Sequence, residues 1–181
     1  MDLSPLLMPD DWTDDQLEAE ARRIYFDDLA TSPPVIPEVP WMIKLPVEVS
    51  GTEGGFRKIF EETEGWAGYS HRKTGRFCRK RMRRAAWIRP VLELKVPKTT
   101  VYANNHTMGP REFTPGQKPK RNRVFLTTNS GLYFISLVWV SETSLALATA
   151  FEPDGEWVRK MKKKDGTVLL GPPMHWRLPA A

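Results

Sequence analysis

The chain has 181 residues, a length that suits one globular domain with an appendage and is short for two full domains. Hydrophobic residues make up 40% of the sequence, which is enough for a core and argues against global disorder. The single cysteine, Cys78, excludes a disulfide framework, and no apolar run reaches the about 18 residues that a membrane span needs.

Charge is divided unevenly along the chain. Residues 1–70 hold 15 acidic and 5 basic residues, a net charge of −10, whereas residues 71–181 hold 22 basic and 7 acidic residues, a net charge of +15. A basic body of this kind indicates a polyanionic partner. Two roles are open for the acidic front: it covers the basic body until the target binds, or it is a solvated, mobile arm.

The first region, residues 1–50, is acidic and rich in proline. Aspartates precede four apolar residues at helical spacing, which predicts a helix with a negatively charged N-terminus. The four are Leu17, Ala21, Ile24 and Tyr25. Five prolines then lie between residues 32 and 46, and they predict an extended connector that crosses the surface, because proline lacks an amide donor. Ile36 and other apolar residues are available to pin this connector to the body.

The second region, residues 51–153, is predicted to form the main domain. Phe56, Ile59 and Phe60 have helical spacing, so a short helix is expected there. From Arg72 to Arg89 there are nine basic residues and no acidic one. A second helix is predicted to start near Thr74 and to end at Pro90. Its apolar face would hold Phe77, Cys78, Met82, Ala85 and Ile88, and its solvent face Arg79, Lys80 and Arg83.

Strands are predicted after the basic segment. Thr99–Ala103 is β-branched and aromatic, and residues 123–140 suit a hairpin with a turn at Asn129–Gly131. The apolar run from Leu132 to Val140 is typical of a central strand. Residues 144–151 predict a third strand, with Leu145, Leu147, Thr149 and Phe151 on one side. The expected fold class is therefore α+β, with N-terminal helices packed on a small antiparallel meander. Residues 154–181 are predicted to be a basic C-terminal extension.

The sequence lacks the motifs of several common enzyme classes. There is no P-loop, paired-glycine dinucleotide motif, HExxH or GxSxG in the sequence. Carboxylates are too scarce in the basic body for a two-metal site, and three histidines with one cysteine do not suit catalytic zinc. We therefore expect no metal and no cofactor.

A metal-independent nuclease needs a different set of groups. It needs an acid or base that titrates near neutral pH, fixed positive charge where the phosphorane develops, and hydroxyls that orient the phosphate. Candidates for these roles are His71, Arg72, Lys73, Arg76, Tyr133 and Thr149.

The order of the basic segment and the strands carries a family resemblance. The basic segment ends in WIRPVLEL, a strand at Thr100–Tyr102 follows, and the last strand ends in Thr149–Ala150–Phe151. This order, over about residues 55–153, resembles the phage and toxin relatives of the barnase–EndoU–colicin–RelE (BECR) nuclease fold. The Pro-Asp pair that is usual at the start of the family's first strand is replaced by Val96–Pro97–Lys98. The resemblance implies metal-independent RNA cleavage, in which the ribose 2′-hydroxyl attacks the adjacent phosphate.

The resemblance also implies roles for individual residues. By position, His71 would be the acid/base group and Thr149 the strand hydroxyl that touches the phosphate, with Arg76 as a further catalytic candidate. His106 and Tyr133 are additional candidates. The basic residues expected to bind nucleic acid are Arg72, Lys73, Arg79, Lys80, Arg83, Lys118, Lys120, Arg121 and Arg123.

Three hypotheses for the function follow. The first is a ribonuclease of phage or toxin type, with RNA as substrate and the acidic segment as a delivery or shielding element. The second is a non-catalytic nucleic-acid-binding module. The third is a phage-encoded interaction protein that binds an acidic immunity or host protein. No membrane partner is expected. Aspartates at positions 2, 10 and 11 do not fit a secretory signal, so we expect a cytoplasmic location, in the producer or in a target cell after delivery.

Overall fold

The computed structural model describes residues 3–38, 44–64, 72–104, 123–128, 133–141, 143–153 and 167–171. Helices and strands alternate irregularly along the chain, and the fold is α+β, as the sequence predicts. None of the helices in these ranges has the length and hydrophobicity of a membrane span.

The first helix, α1 (Asp14–Arg23), forms where the sequence predicts it. Thr13 and Gln16 form a capping box: the Gln16 amide donates to the Thr13 hydroxyl at 3.3 Å, and the Thr13 amide donates to the Gln16 side chain at 2.8 Å. The helix continues as a π-helical segment, Ile24–Ala30. The four apolar residues of the predicted face are all buried: Leu17, Ala21, Ile24 and Tyr25.

Within the described ranges, nine strands form two sheets, of seven and two strands. They are β1 (Val35–Ile36), β2 (Leu45–Glu48), β3 (Glu61–Glu64), β4 (Arg72–Phe77), β5 (Thr100–Asn104), β6 (Arg123–Thr127), β7 (Phe134–Ser141), β8 (Ser144–Phe151) and β9 (Thr167–Gly171). The large sheet has the order β1-β2-β8-β7-β6-β5-β9, and β3 pairs with β4. Strands β5 to β8 form the antiparallel meander that we predicted, with the apolar β7 in a central position. The sheet as a whole is mixed, because β2 pairs with β8 in parallel.

The predicted proline-rich connector is in fact partly strand. Ile36 in β1 and Leu45 and Val47 in β2 are fully buried, and Val47 lies opposite Leu145 of β8. Pro46 has no amide hydrogen to donate, but the neighbouring Val47 amide donates to the Pro34 carbonyl at 2.9 Å and so joins β2 to the β1 side of the sheet. Local composition predicted an extended connector across the surface, with apolar residues that could pin it, but it is the pairing with the distant strand β8 that makes part of it a strand of the sheet.

The same strands connect the three predicted regions. β2 lies in segment 1–50 and β9 in segment 154–181, yet both pair with strands of segment 51–153. Residues of the acidic segment also belong to the main hydrophobic core. The described part of this segment is therefore not a mobile arm, and removing residues 1–50 would remove part of the core.

The prediction of a long basic helix that starts near Thr74 is wrong. Residues 72–77 form β4, which pairs with β3, and Gly75 within it adopts a positive φ of 81°. Helical structure begins only with the short α3 (Arg79–Met82), followed by a 3₁₀ turn and α4 (Ile88–Leu92). The buried Glu61 side chain accepts a hydrogen bond from the Gly75 amide at 2.6 Å, a contact between distant residues that helical spacing cannot reveal.

The helices cover one face of the large sheet. Helix α2 (Glu53–Phe60) forms as predicted, capped by the Thr52 hydroxyl, which accepts from the Gly55 amide at 3.2 Å. The sheet residues that join the same core are Val101, Val124, Leu126, Ile135, Leu137, Trp139, Leu145, Leu147 and Ala150. The helical residues Met82, Ala85 and Ile88 are buried in it, as are Trp87 and Trp139.

A β-bulge in β8 changes the predicted alternation of its side chains. Ser136 of β7 lies opposite Thr149, but the next residue, Leu137, lies opposite Leu147, so Ala148 is the extra residue. Leu145 and Leu147 face the helices, whereas Thr149 and Phe151 face the other side of the sheet. The prediction that all four share one side is therefore wrong.

Gly55 marks a close approach between α2 and the π-helical segment. The Tyr25 hydroxyl donates to the Ser50 carbonyl at 2.5 Å, and burial raises the pKa of Tyr25 to about 12. A Cβ at Gly55 would lie 2.8 Å from that carbonyl and would collide with the Tyr25 hydroxyl.

Gly55→Ala is expected to lower the free energy of unfolding by about 2 kcal/mol, because the new methyl group displaces the hydrogen bond between Tyr25 and Ser50. Gly54→Ala is the matched control: its nearest neighbour would be the Thr52 hydroxyl at 3.9 Å, so stability should be unchanged or slightly higher. Urea unfolding of both variants measures the difference. Equal effects would contradict the packing described for Gly55.

Candidate nucleic-acid interface

The basic segment β4–α3 is anchored to the preceding elements by its backbone. The Cys78 amide, at the start of α3, donates to the Phe60 carbonyl at 2.7 Å. β4 pairs with β3, with Phe77 opposite Glu61. The predicted nucleic-acid ligands Arg72 and Lys73 lie on β4, as does the catalytic candidate Arg76, which is exposed near the end of the strand.

Four arginines in this segment or shortly after it are paired with the protein's own carboxylates: Arg79, Arg83, Arg84 and Arg89. Arg84 Nη2 lies 2.7 Å from Glu152 Oε2, and Arg89 Nη2 lies 2.7 Å from Asp28 Oδ1. Of the predicted phosphate ligands, Arg79 and Arg83 pair with aspartates near the N-terminus. Those two side chains do not project freely into solvent, contrary to the sequence prediction.

Two cations of the segment, Arg76 and Lys80, are exposed and have no ion-pair partner in the ranges that the structure describes. Arg123, at the start of β6, is a third exposed cation from the predicted set. These three exposed cations are candidates for contacts with phosphate.

The sheet face opposite the helices carries hydroxyl and aromatic side chains. Cross-strand partners in an antiparallel sheet share a face, so the register places one set of residues together. We call the hydroxyl, aromatic and basic members of this set the aromatic face: Thr100, Tyr102, Arg123, Phe125, Thr127, Phe134, Ser136, Thr149 and Phe151. Phe125, Thr149 and Phe151 are half-buried, whereas Phe134 and Ser136 are only 1% exposed.

Two kinds of contact organise the aromatic face. The Phe134 ring centroid lies 5.4 Å from that of Phe125 and 5.2 Å from that of Phe151. Arg123 Nη1 donates to the Ser136 hydroxyl at 3.5 Å, and Ser136 lies opposite Thr149. The bulge in β8 thus brings the Thr149 and Ser136 hydroxyls and the Arg123 guanidinium to one side of the sheet.

Arg81 joins the basic segment to this face. Its guanidinium carbon lies 5.4 Å from the ring centroid of Phe151, and Phe151 follows Thr149 by two residues on the same face. Arg81 Nη1 also donates to the carbonyls of Ile59 at 3.1 Å and Glu61 at 3.3 Å, which fixes the side chain. Arg81 is not among the residues predicted from the sequence, because nothing local distinguishes it from the other basic residues of the segment.

Tyr133, an additional candidate, belongs to the core instead. It is 1% exposed, packs edge-on against Trp87 with centroids 5.4 Å apart, and donates to the Arg84 carbonyl at 3.4 Å. Burial raises the pKa of Tyr133 above its usual range, despite the nearby positive charges of Arg84 and Arg81. A ligand on the aromatic face cannot reach this hydroxyl.

Five predicted site residues lie outside the described residues: His71, His106, Lys118, Lys120 and Arg121. The roles assigned to them stay predictions.

Comparison with known proteins returns nothing: no family model, no curated protein and no solved structure matches this chain. The resemblance to BECR nucleases therefore depends on the residue pattern alone and stays a prediction.

The contact between Arg81 and Phe151 can be measured by a double-mutant cycle. Arg81→Ala, Phe151→Leu and the double variant should show a coupling energy of about 0.5–1 kcal/mol in denaturant unfolding, because either single substitution removes the cation–π interaction. The hydrogen bonds from Arg81 to the carbonyls cancel in the cycle. Strictly additive effects would contradict the contact.

Proposed function

We propose that this protein binds RNA where the segment β4–α3 meets the aromatic face, and that it cleaves the bound RNA without a metal ion. The observation that carries the proposal is the position of Arg81 over Phe151, two residues from Thr149. Through this contact the cationic segment and the hydroxyl-bearing face adjoin each other.

RNA binding is supported by exposed positive charges and by half-buried aromatic rings. Arg76, Lys80 and Arg123 are exposed cations that can neutralise phosphates and release counterions. The half-buried rings of Phe125 and Phe151 provide surfaces on which unpaired bases can stack. A single-stranded RNA offers both partners, because its bases are accessible beside its phosphates.

Cleavage is supported by the groups around Thr149. In the proposed reaction the ribose 2′-oxygen attacks the adjacent phosphorus, its proton passes to a base, and the 5′-oxygen leaves with a proton from an acid. The Thr149 hydroxyl would orient the phosphate, and Arg81 and Arg123 would stabilise the charge of the phosphorane. The resemblance assigns the acid/base role to His71.

A non-catalytic RNA-binding module is the second candidate. The aromatic face, as far as the structure describes it, contains neither a carboxylate nor an imidazole, so its described side chains supply cations and hydroxyls but no acid/base group. Such a surface suffices for binding. The two candidates therefore differ in whether RNA is cut and in whether His71 is needed.

Cleavage is tested with purified protein and total RNA in the presence of EDTA. We expect cleavage by the wild type, none by His71→Ala, and a reduced rate for Thr149→Ala with little change in melting temperature, since a strand tolerates alanine at modest cost. RNA binding without cleavage would select the second candidate. Equal cleavage by His71→Ala would remove this residue from the mechanism.

Binding is tested by the salt dependence of RNA affinity. Arg76→Gln/Lys80→Gln should weaken binding to a single-stranded oligouridylate and reduce the slope of log K against log salt by about 0.7 for each phosphate that is no longer neutralised. Lys44→Gln/Lys98→Gln removes the same charge from exposed positions outside the segment and should leave the slope unchanged. Equal slopes for both variants would contradict the proposed interface. Co-purification of an acidic protein with only weak RNA binding would instead favour the third hypothesis.

A further inference from the structure

The N-terminal segment, residues 8–14, provides oxygen atoms that accept hydrogen bonds from the Arg79 guanidinium, as the oxygens of an anionic ligand could. Its Nη1 lies 2.6 Å from Asp14 Oδ1, and its Nη2 donates to the carbonyls of Asp10 at 2.7 Å and Trp12 at 2.6 Å. The guanidinium is thus held by one carboxylate and two neutral carbonyls. The carbonyls fix its position, and the carboxylate neutralises its charge.

Arg83 is held in the same way by the same segment. Its Nε donates to the Met8 carbonyl at 2.9 Å, and its guanidinium forms an ion pair with Asp10. In return, the Met8 amide donates to the Arg83 carbonyl at 3.1 Å. Two neighbouring guanidiniums at α3 are therefore oriented by the backbone and neutralised by two separate aspartates.

Both aspartates are more exposed than the arginines with which they pair. Their side chains are 86% exposed at Asp10 and 75% exposed at Asp14, so water and salt compete with both ion pairs. The segment itself is anchored by the buried side chain of Met8 and by the carbonyl contacts. Rotation of the two exposed carboxylates would remove the charged partner of each guanidinium, while the carbonyl contacts would keep both arginines in place.

We propose that Asp10 and Asp14 are intramolecular competitors of phosphate groups at Arg79 and Arg83, so that the chain weakens its own affinity for RNA. This inference rests on the proposed RNA binding and adds a regulated pair of phosphate sites to it. The inference also explains the uneven charge along the sequence, because two residues of the acidic front would cover part of the basic segment.

The test compares two charge-matched double variants. Asp10→Asn/Asp14→Asn removes the competing carboxylates, whereas Asp11→Asn/Asp15→Asn removes the same charge from neighbouring exposed positions that form no ion pair within the described residues. At low salt, the first variant should bind a single-stranded oligouridylate roughly tenfold more tightly than the second. Equal tightening in both variants would reflect net charge alone and would overturn the inference.

Two additions keep this result separate from the RNA proposal. If the double variant is poorly folded by its melting temperature, Asp10→Asn and Asp11→Asn are compared as single substitutions. If the wild type and all variants fail to bind RNA, the RNA proposal is wrong, and inorganic polyphosphate replaces the oligonucleotide. Tighter polyphosphate binding by the Asp10/Asp14 variant alone would still support competition at these arginines, and no difference would overturn it.

Discussion

The fold depends on how the chain accommodates nine positive charges between Arg72 and Arg89. Without partners these charges would repel one another, but the arginines donate to backbone carbonyls of distant segments. Arg79 donates to Asp10 and Trp12, Arg81 to Ile59 and Glu61, and Arg89 to Asp28 and Ser32. Hydrogen bonds from charged donors are about twice as strong as neutral ones, so they connect the N-terminal helices and β3 to the basic segment. The same side chains that suggest a polyanion partner therefore also hold the structure together.

The basic residues differ in whether their charge is neutralised within the protein or exposed at its surface. Arg84 and Arg89 are paired with carboxylates and stabilise the fold. Arg76 and Lys80 are exposed and available to a ligand. Arg79 and Arg83 lie between these groups, because their carbonyl contacts are structural while their carboxylate partners are exposed. The proposed competition between aspartates and phosphates concerns this third pair.

The bulge in β8 is the second feature on which the proposed function depends. A strand without it would continue the alternation set by Leu145 and Leu147 and would turn Thr149 towards the helices. The extra residue, Ala148, places Thr149 opposite Ser136 and next to Phe151, which contacts Arg81. One inserted residue thus decides whether the sheet hydroxyls and the basic segment can act on the same ligand.

The sequence by itself determined the elements whose signals are local. The capped helix at Asp14–Arg23, the short helix ending at Phe60 and the apolar central strand β7 follow from hydrophobic spacing and charge within a few residues. Only the tertiary structure decided the rest: that residues 72–77 pair with β3, that the proline-rich segment enters the sheet through β2, and that Arg81 meets Phe151. Each of these depends on contact between residues far apart in the chain, and no periodicity within one segment encodes which distant partner it will find.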